Sequence, residues 1–209
     1  MPTPLKLFLA SSNPGKLHEY QTLAARRAFE VARLPGLDAL PRCEESAPTF
    51  AENAAAKALH YSRSVALPVI ADDSGLVVPA LGGKPGVHSA RYAGPQASDA
   101  DRIRKLLEEL RRKPASERQA RFVCVVALAE RGSVLAVCSD AVSGELLHVP
   151  RGEQGFGYDP VFFFPPLGKS FAELSRAEKN LHSHRGKAFR KLLALLESNR
   201  EVEAAFGGA

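Results

Sequence analysis

Apolar positions along the first half of the chain switch between extended runs and helical spacing. Residues 5–10 (LKLFLA) form a short apolar run that stops at Ser11-Ser12-Asn13-Pro14-Gly15-Lys16, a cluster of turn-forming residues. Apolar residues then recur at Leu17, Tyr20, Leu23 and Ala24, the three-to-four spacing of a helix. This predicts a strand, a tight loop and a helix. Residues 35–48 read as irregular and carry Glu44 and Glu45. Thr49, with Glu52 after it, forms a capping box that opens the next helix. Phe50, Ala54, Ala58 and Tyr61 make its apolar stripe, whereas Asn53, Lys57 and His60 share another face.

Further on, 68–71 (PVIA) reads as a short buried strand ended by Asp72-Asp73-Ser74-Gly75. An apolar run at 76–81 leads into a glycine-punctuated loop, 82–94, that carries Ser89-Ala90-Arg91-Tyr92. Ile103, Leu106, Leu107 and Leu110 define an amphipathic helix. Runs at 121–130 and 134–138 flank Arg131-Gly132-Ser133, which predicts a hairpin, and 141–149 predicts one more strand. A glycine-rich loop, 155–160, precedes Phe162-Phe163-Phe164. Residues 181–196 read as the last helix, with Ala188, Leu192 and Leu195 in its core stripe, and 197–209 as a frayed tail. Helices alternate with strands early and hairpins dominate later, so the expected fold is α/β with a mixed sheet. No repeat or linker divides the 209 residues, and one domain is expected.

Composition narrows the classes. With 45% hydrophobic and 24% charged residues the chain is ordinary for a globular protein and far from a disordered one. No apolar run approaches the roughly 20 residues of a membrane helix, and residues 1–9 lack the basic start and cleavage site of a secretory peptide. Cys43, Cys124 and Cys138 form no CxxC pair, which fits a reducing cytoplasm. A formal charge of +5 suits an anionic partner. The basic residues are scattered among acids rather than gathered in a stripe, so a small phosphate-bearing ligand is expected over a stable nucleic-acid partner.

Four clusters could carry chemistry. Ser11–Lys16, small residues opening a helix, can offer backbone N–H groups and a lysine to phosphate. Glu44, Glu45, Asp72 and Asp73 are either turn-capping charges or the oxygen ligands of a magnesium ion that substrate phosphates complete. Phe156-Gly157-Tyr158-Asp159-Pro160 combines close backbone approach, a ring for stacking and a carboxylate acceptor. Lys179, His184 and Arg185 place cations at the head of the last helix, against its dipole, which makes sense beside an anion or an electron-rich base edge.

Taken together and in order, Ser-Ser-Asn-Pro-Gly-Lys, Ala-Asp-Asp-Ser-Gly, Ser-Ala-Arg-Tyr-Ala-Gly, Gly-Phe-Gly-Tyr-Asp-Pro and Ser-His-Arg-Gly resemble the non-canonical purine (inosine/xanthosine) triphosphate pyrophosphatase family over about residues 5–196. The resemblance implies a homodimeric, bilobed α/β enzyme with a long central mixed sheet and a cleft between the lobes. It implies Mg2+-dependent hydrolysis of ITP, dITP and XTP to monophosphate and pyrophosphate, which keeps these nucleotides out of DNA and RNA. By the same resemblance, Ser11, Ser12, Asn13, Pro14, Gly15, Lys16 and Lys57 hold the triphosphate. Glu44 and Asp73 bind the metal, Asp73 is the catalytic carboxylate, and Ser74 touches substrate. Phe156, Gly157, Tyr158 and Asp159 hold the base, with Lys179, His184 and Arg185 supplying the remaining contacts. Inosine and xanthosine carry a 6-oxo acceptor where adenine carries a donor, so donors in the site would select them.

Overall fold

The computed structural model describes residues 4–25 and 27–206. A seven-stranded sheet runs in the order β2-β1-β3-β4-β5-β6-β7. Its strands are β1 (Leu5–Leu9), β2 (Phe29–Arg33), β3 (Val69–Val77), β4 (Gln119–Glu130), β5 (Ser133–Leu146), β6 (Phe162–Phe164) and β7 (Lys169–Ser170). β1 pairs in parallel with both β2 and β3, and every later pairing is antiparallel. The helices are α1 (Pro14–Ala24), α2 (Phe50–Ser64), α3 (Asp99–Glu109), α4 (Arg176–His182) and α5 (His184–Phe206).

Both faces of the middle of the sheet are covered. Cys124, Val126 and Leu128 of β4 pack with Tyr20 of α1 and Phe189, Leu192 and Leu193 of α5. The alternate residues Val125, Ala127 and Ala129 pack with Ala54, Ala58 and Tyr61 of α2. Side chains alternate across a strand, so a strand covered on both sides reads as one continuous apolar run. The far ends of β3, β4 and β5 carry a separate cluster built on Leu76, Phe122, Phe162 and Phe171, with Ile103 and Leu106 from α3. Long strands thus carry apolar clusters at both of their ends, in a mixed sheet flanked by helices.

Several sequence expectations change. β3 does not stop at Asp72; it continues through Asp72-Asp73-Ser74-Gly75 to Val77, paired with β4 along its length. Polar residues persist there because the neighbouring elements give them partners. The strands expected at 134–138 and 141–149 are one strand, β5, since Ser139 and Asp140 continue the ladder to β4. β2 escaped notice because its five residues are short for a periodic signal. The expected last helix at 181–196 is two helices, with a break at Ser183 where the Ser183 hydroxyl accepts from Gly186 N at 3.1 Å. The expected tail is helical to Phe206, and 207–209 lie outside the described residues.

Gly75 shows how tightly the 86–89 segment closes on β3. A Cβ there would sit 2.4 Å from both the Gly86 carbonyl and the Ser89 hydroxyl. That hydroxyl also accepts from Leu76 N at 2.9 Å and donates to Gly86 O at 2.6 Å. Gly75→Ala is expected to cost about 1–3 kcal/mol by overpacking, seen as a drop in Tm of roughly 2–10 °C in a thermal melt. An unchanged Tm would show that the loop yields freely.

Candidate active site

β1 stops at Leu9, and β3 continues beyond it with no strand on that side among the described residues. The space outside the carboxyl end of β1 is where ligands bind in open α/β sheets. There the chain turns into α1. Asn13 caps the helix, its side chain accepting from Lys16 N at 3.1 Å, and Pro14 occupies the first turn. Ser11, Ser12, Asn13 and Lys16 line a cleft of about 530 Å3.

The two aspartates of β3 point to opposite sides of the sheet, as consecutive strand residues must. Asp72 turns toward α1 and α5. Its carboxylate meets Lys16 Nζ at 2.9 Å and Arg185 Nε at 3.3 Å and accepts from the Ser74 hydroxyl at 3.3 Å. Burial alone would raise its pKa, but Lys16, Arg185 and Lys57 outweigh that and hold it well below the usual carboxylate range. Asp73 turns toward α2. It accepts from Asn53 Nδ2 at 3.0 Å and from Ser74 N at 2.9 Å, both neutral donors. Burial, with Glu45 nearby, pushes its pKa up to about 6 against the Asn53 hydrogen bond. The adjacent carboxylates are therefore electrostatic opposites, one permanently ionised and one poised near neutrality. Asp73 and Ser74 line the cleft.

Lys57, one turn after Asn53 on α2, donates to the Asp72 carbonyl at 3.1 Å and meets Glu45 Oε1 at 2.6 Å. Burial lowers its pKa, yet Glu45 and Asp72 reverse that and raise it, so it stays charged. Glu45 lines the cleft; Glu44, the expected metal ligand, is exposed and does not. The 45–47 segment is fastened to α2 through Glu45 and Ala47, which turns Glu45 inward.

Phe156, Gly157, Tyr158 and Asp159 form the opposite wall. Gly157 N donates to Asp99 Oδ2 at 2.6 Å, Phe156 N to Asp159 Oδ2 at 2.9 Å, and the Tyr158 hydroxyl to Ser89 O at 2.9 Å. Lys179 lies 4.5 Å from the Phe156 ring centroid and 2.5 Å from Asp159. Gly15, expected to touch phosphate, and Pro14 are not among the cleft-lining residues; a Cβ on Gly15 would lie 2.7 Å from the Phe156 ring. Gly15 thus allows the two loops to meet.

His184 and Arg185 open α5. Arg185 is 2% exposed and is balanced by Glu19 at 2.6 Å as well as by Asp72. Glu19 also holds Lys179 at 2.8 Å. The sequence reading missed Glu19, because an acid inside a helical stripe of apolar residues reads as a solvated face. Its only cue was its place three residues after Lys16 on α1. Asn53, Ser89 and Asp99 were not picked as site residues either. The His184 ring stacks on Phe122 with centroids 4.7 Å apart, and its Nδ1 has no hydrogen-bond partner among the described residues. Burial, then Arg185 and Lys179, lowers the His184 pKa far below its usual value, so the ring is neutral.

Comparison with known proteins places this geometry. The sequence profile described as the Ham1 family matches residues 7–195. The chain is 51% identical over 187 residues to a dITP/XTP pyrophosphatase of Geobacillus kaustophilus, covering 90% of this chain and 92% of the relative. It is 47% identical over 189 residues to one from Thermus thermophilus, covering 90% of each. The solved HAM1 protein of Coxiella burnetii superposes with a TM-score of 0.83 at 44% identity, covering 93% of this chain and 99% of that one. The Ham1 protein of Staphylococcus aureus gives 0.82 at 40% identity, covering 93% and 99%.

A neutral buried His184 makes the fold acid-sensitive. Below the ordinary histidine pKa of about 6.5 the unfolded chain takes up a proton that the folded chain refuses, so stability falls by up to about 1.4 kcal/mol per pH unit. His184→Phe is expected to lose less Tm than the parent protein between pH 7 and pH 5.5; equal losses would show that the ring is not the source. With its cleft, its paired aspartates and these relatives, the chain belongs to the Ham1 family.

Proposed function

We propose that this chain hydrolyses the purine nucleoside triphosphates dITP, ITP and XTP to the monophosphate and pyrophosphate. The carrying observation is one cleft that joins Lys16, Lys57, Lys179 and Arg185 to an aspartate of raised pKa and an aromatic loop. Relatives up to 51% identical are named dITP/XTP pyrophosphatase.

A divalent cation suits the donors present. Among the described residues no three His, Cys, Asp or Glu side chains cluster as a metal cage. Mg2+ commonly takes one or two carboxylates and leaves its other positions to water and phosphate oxygens. Glu45 and Asp73 would hold it, with Glu45 in the place first expected of Glu44. The ion would act as a Lewis acid on the phosphates.

Asp73 orients the attacking water and accepts its proton. Lys16 and Lys57 offset the charge of the triphosphate, and the amides of Ser11 and Ser12 bind its oxygens, the Asn13 amide being taken by the Ser11 hydroxyl at 3.2 Å. Asp72 takes no proton; it keeps Lys16 and Arg185 aimed. The purine lies against the Phe156–Asp159 wall, where Arg185 and His184 meet the 6-oxo group. Adenine would leave such donors unpaired at about 1–3 kcal/mol each.

Pyrophosphate release should be at least about tenfold faster from dITP, ITP and XTP than from ATP, and comparable rates would overturn the reading. Asp73→Asn should lower kcat by about 100-fold or more with ITP still bound in a calorimetric titration. Near-normal turnover would remove Asp73 from the mechanism.

A second copy of the chain would cover Val134, Leu135 and Val137 of β5, which are 41%, 56% and 47% exposed. Light scattering should then report a dimer for the parent protein and a monomer for Leu135→Asp; a monomeric parent would rule the dimer out. Among the described residues no helix is long and apolar enough to cross a membrane, and a cytoplasmic location fits the unpaired cysteines.

A further inference from the structure

Asn53 is a buried polar residue to which the mechanism above assigns no task. It is 1% exposed and sits in the second turn of α2, yet its amide is turned toward three partners. Its Nδ2 donates to Asp73 Oδ2 at 3.0 Å and to the Ala47 carbonyl at 3.2 Å. Its Oδ1 accepts from Ala47 N at 3.0 Å. Both N–H donors are used, and the pair of bonds to Ala47 is the clasp that one peptide unit makes with another.

Ala47 lies two residues from Glu45. One helical turn beyond Asn53, Lys57 holds the Glu45 carboxylate, and Arg91 Nη2 donates to the Glu45 carbonyl at 2.7 Å. The segment that carries Glu45 has no strand or helix of its own between 40 and 49. Its place is set by such side-chain bonds, and Asn53 makes two of them while also gripping Asp73. A carboxylate has about four lone-pair sites. Asn53 takes one on Oδ2 and Ser74 N takes one on Oδ1, which leaves the others for ligands in the cleft.

We infer that Asn53 is a positioning residue that ties the Glu45 segment to Asp73, holding both carboxylates in the fixed relation that a cation shared between them requires. This rests on the proposed reading of the site. Outer-shell partners of this kind typically set metal affinity or activity by about 10–100-fold. The burial of Asn53 also fits a purely structural clasp, and the two roles predict different things.

The test is a titration with Mn2+ alone, read by electron paramagnetic resonance, on the full chain and on Asn53→Ala, Asp73→Asn and the double variant. Positioning predicts that Asn53→Ala weakens Mn2+ binding about tenfold in the parent background and much less in the Asp73→Asn background. It also predicts that kcat for dITP falls by about tenfold or more, while KM changes less than about threefold at a temperature where circular dichroism shows the variant folded. Where Asn53→Ala does not fold, Asn53→Ser is read in the same way. A variant with parental Mn2+ affinity, or an equal loss in both backgrounds, overturns the inference, as does a parent protein that binds no Mn2+. Failure of the functional reading is separate: it would appear as a parent protein that binds Mn2+ but releases no pyrophosphate from dITP or XTP.

Discussion

The alternation of side chains along β3 is the constraint on which the site depends. Two consecutive aspartates on one strand cannot share an environment, because one faces α1 and α5 and the other faces α2. In a turn they would repel each other and face water. In a covered strand each must find its own partners, and the fold supplies cations to Asp72 and neutral donors to Asp73. The pKa values separate for that reason. Asp72 is held as an anion that organises Lys16 and Arg185, and Asp73 remains a base.

Around this pair the charges are arranged in contact with one another rather than with solvent. Glu19 joins Arg185 to Lys179, and Lys179 reaches Asp159 at the foot of the aromatic loop. Burying one such ion alone would be prohibitive, so each is matched by at least one opposite charge. The arrangement runs from α1 through α4 and α5 to the 155–160 loop, which makes the Lys16 end and the Phe156 end of the cleft a single electrostatic unit. Arg185 at the head of α5 tolerates the unfavourable helix dipole because Glu19 and Asp72 outweigh it, and His184 avoids the conflict by staying neutral.

Much of this was legible in the sequence where a motif coincides with a turn. The turn at 11–13 and the 155–160 loop lie where the pattern of small and turn residues put them, although Pro14-Gly15-Lys16 already belongs to α1, and Thr49 caps α2 through its hydroxyl, which accepts from Glu52 N without the reciprocal bond of a capping box. The sequence was misleading where polar residues sit inside covered structure. Asp72-Asp73-Ser74-Gly75 has the composition of a turn, and only the pairing with β4 makes it a strand. Ser139-Asp140 divides β5 in composition but not in the ladder. The choice of Glu44 over Glu45 could not be made from adjacency, since the inward residue is decided by Lys57, twelve positions further on and on another element. Glu19 and Asn53 were hidden for the same reason: a polar residue in a helix signals exposure until its partners from distant segments are known.

The contact between Gly15 and Phe156 adds a limit on size. The start of α1 and the 155–160 loop touch there, and no larger residue fits at position 15 without displacing the ring. Phe156 in turn carries Lys179 above its face, and Arg185 lies 5.5 Å from its centroid. A displaced ring would therefore disturb the cations shared with Glu19 and Asp72, not merely widen the cleft. On the proposed function, substrate shape and phosphate charge would be read by the same set of contacts, so a change made to relax base selection at Phe156 should also weaken the grip on the phosphates.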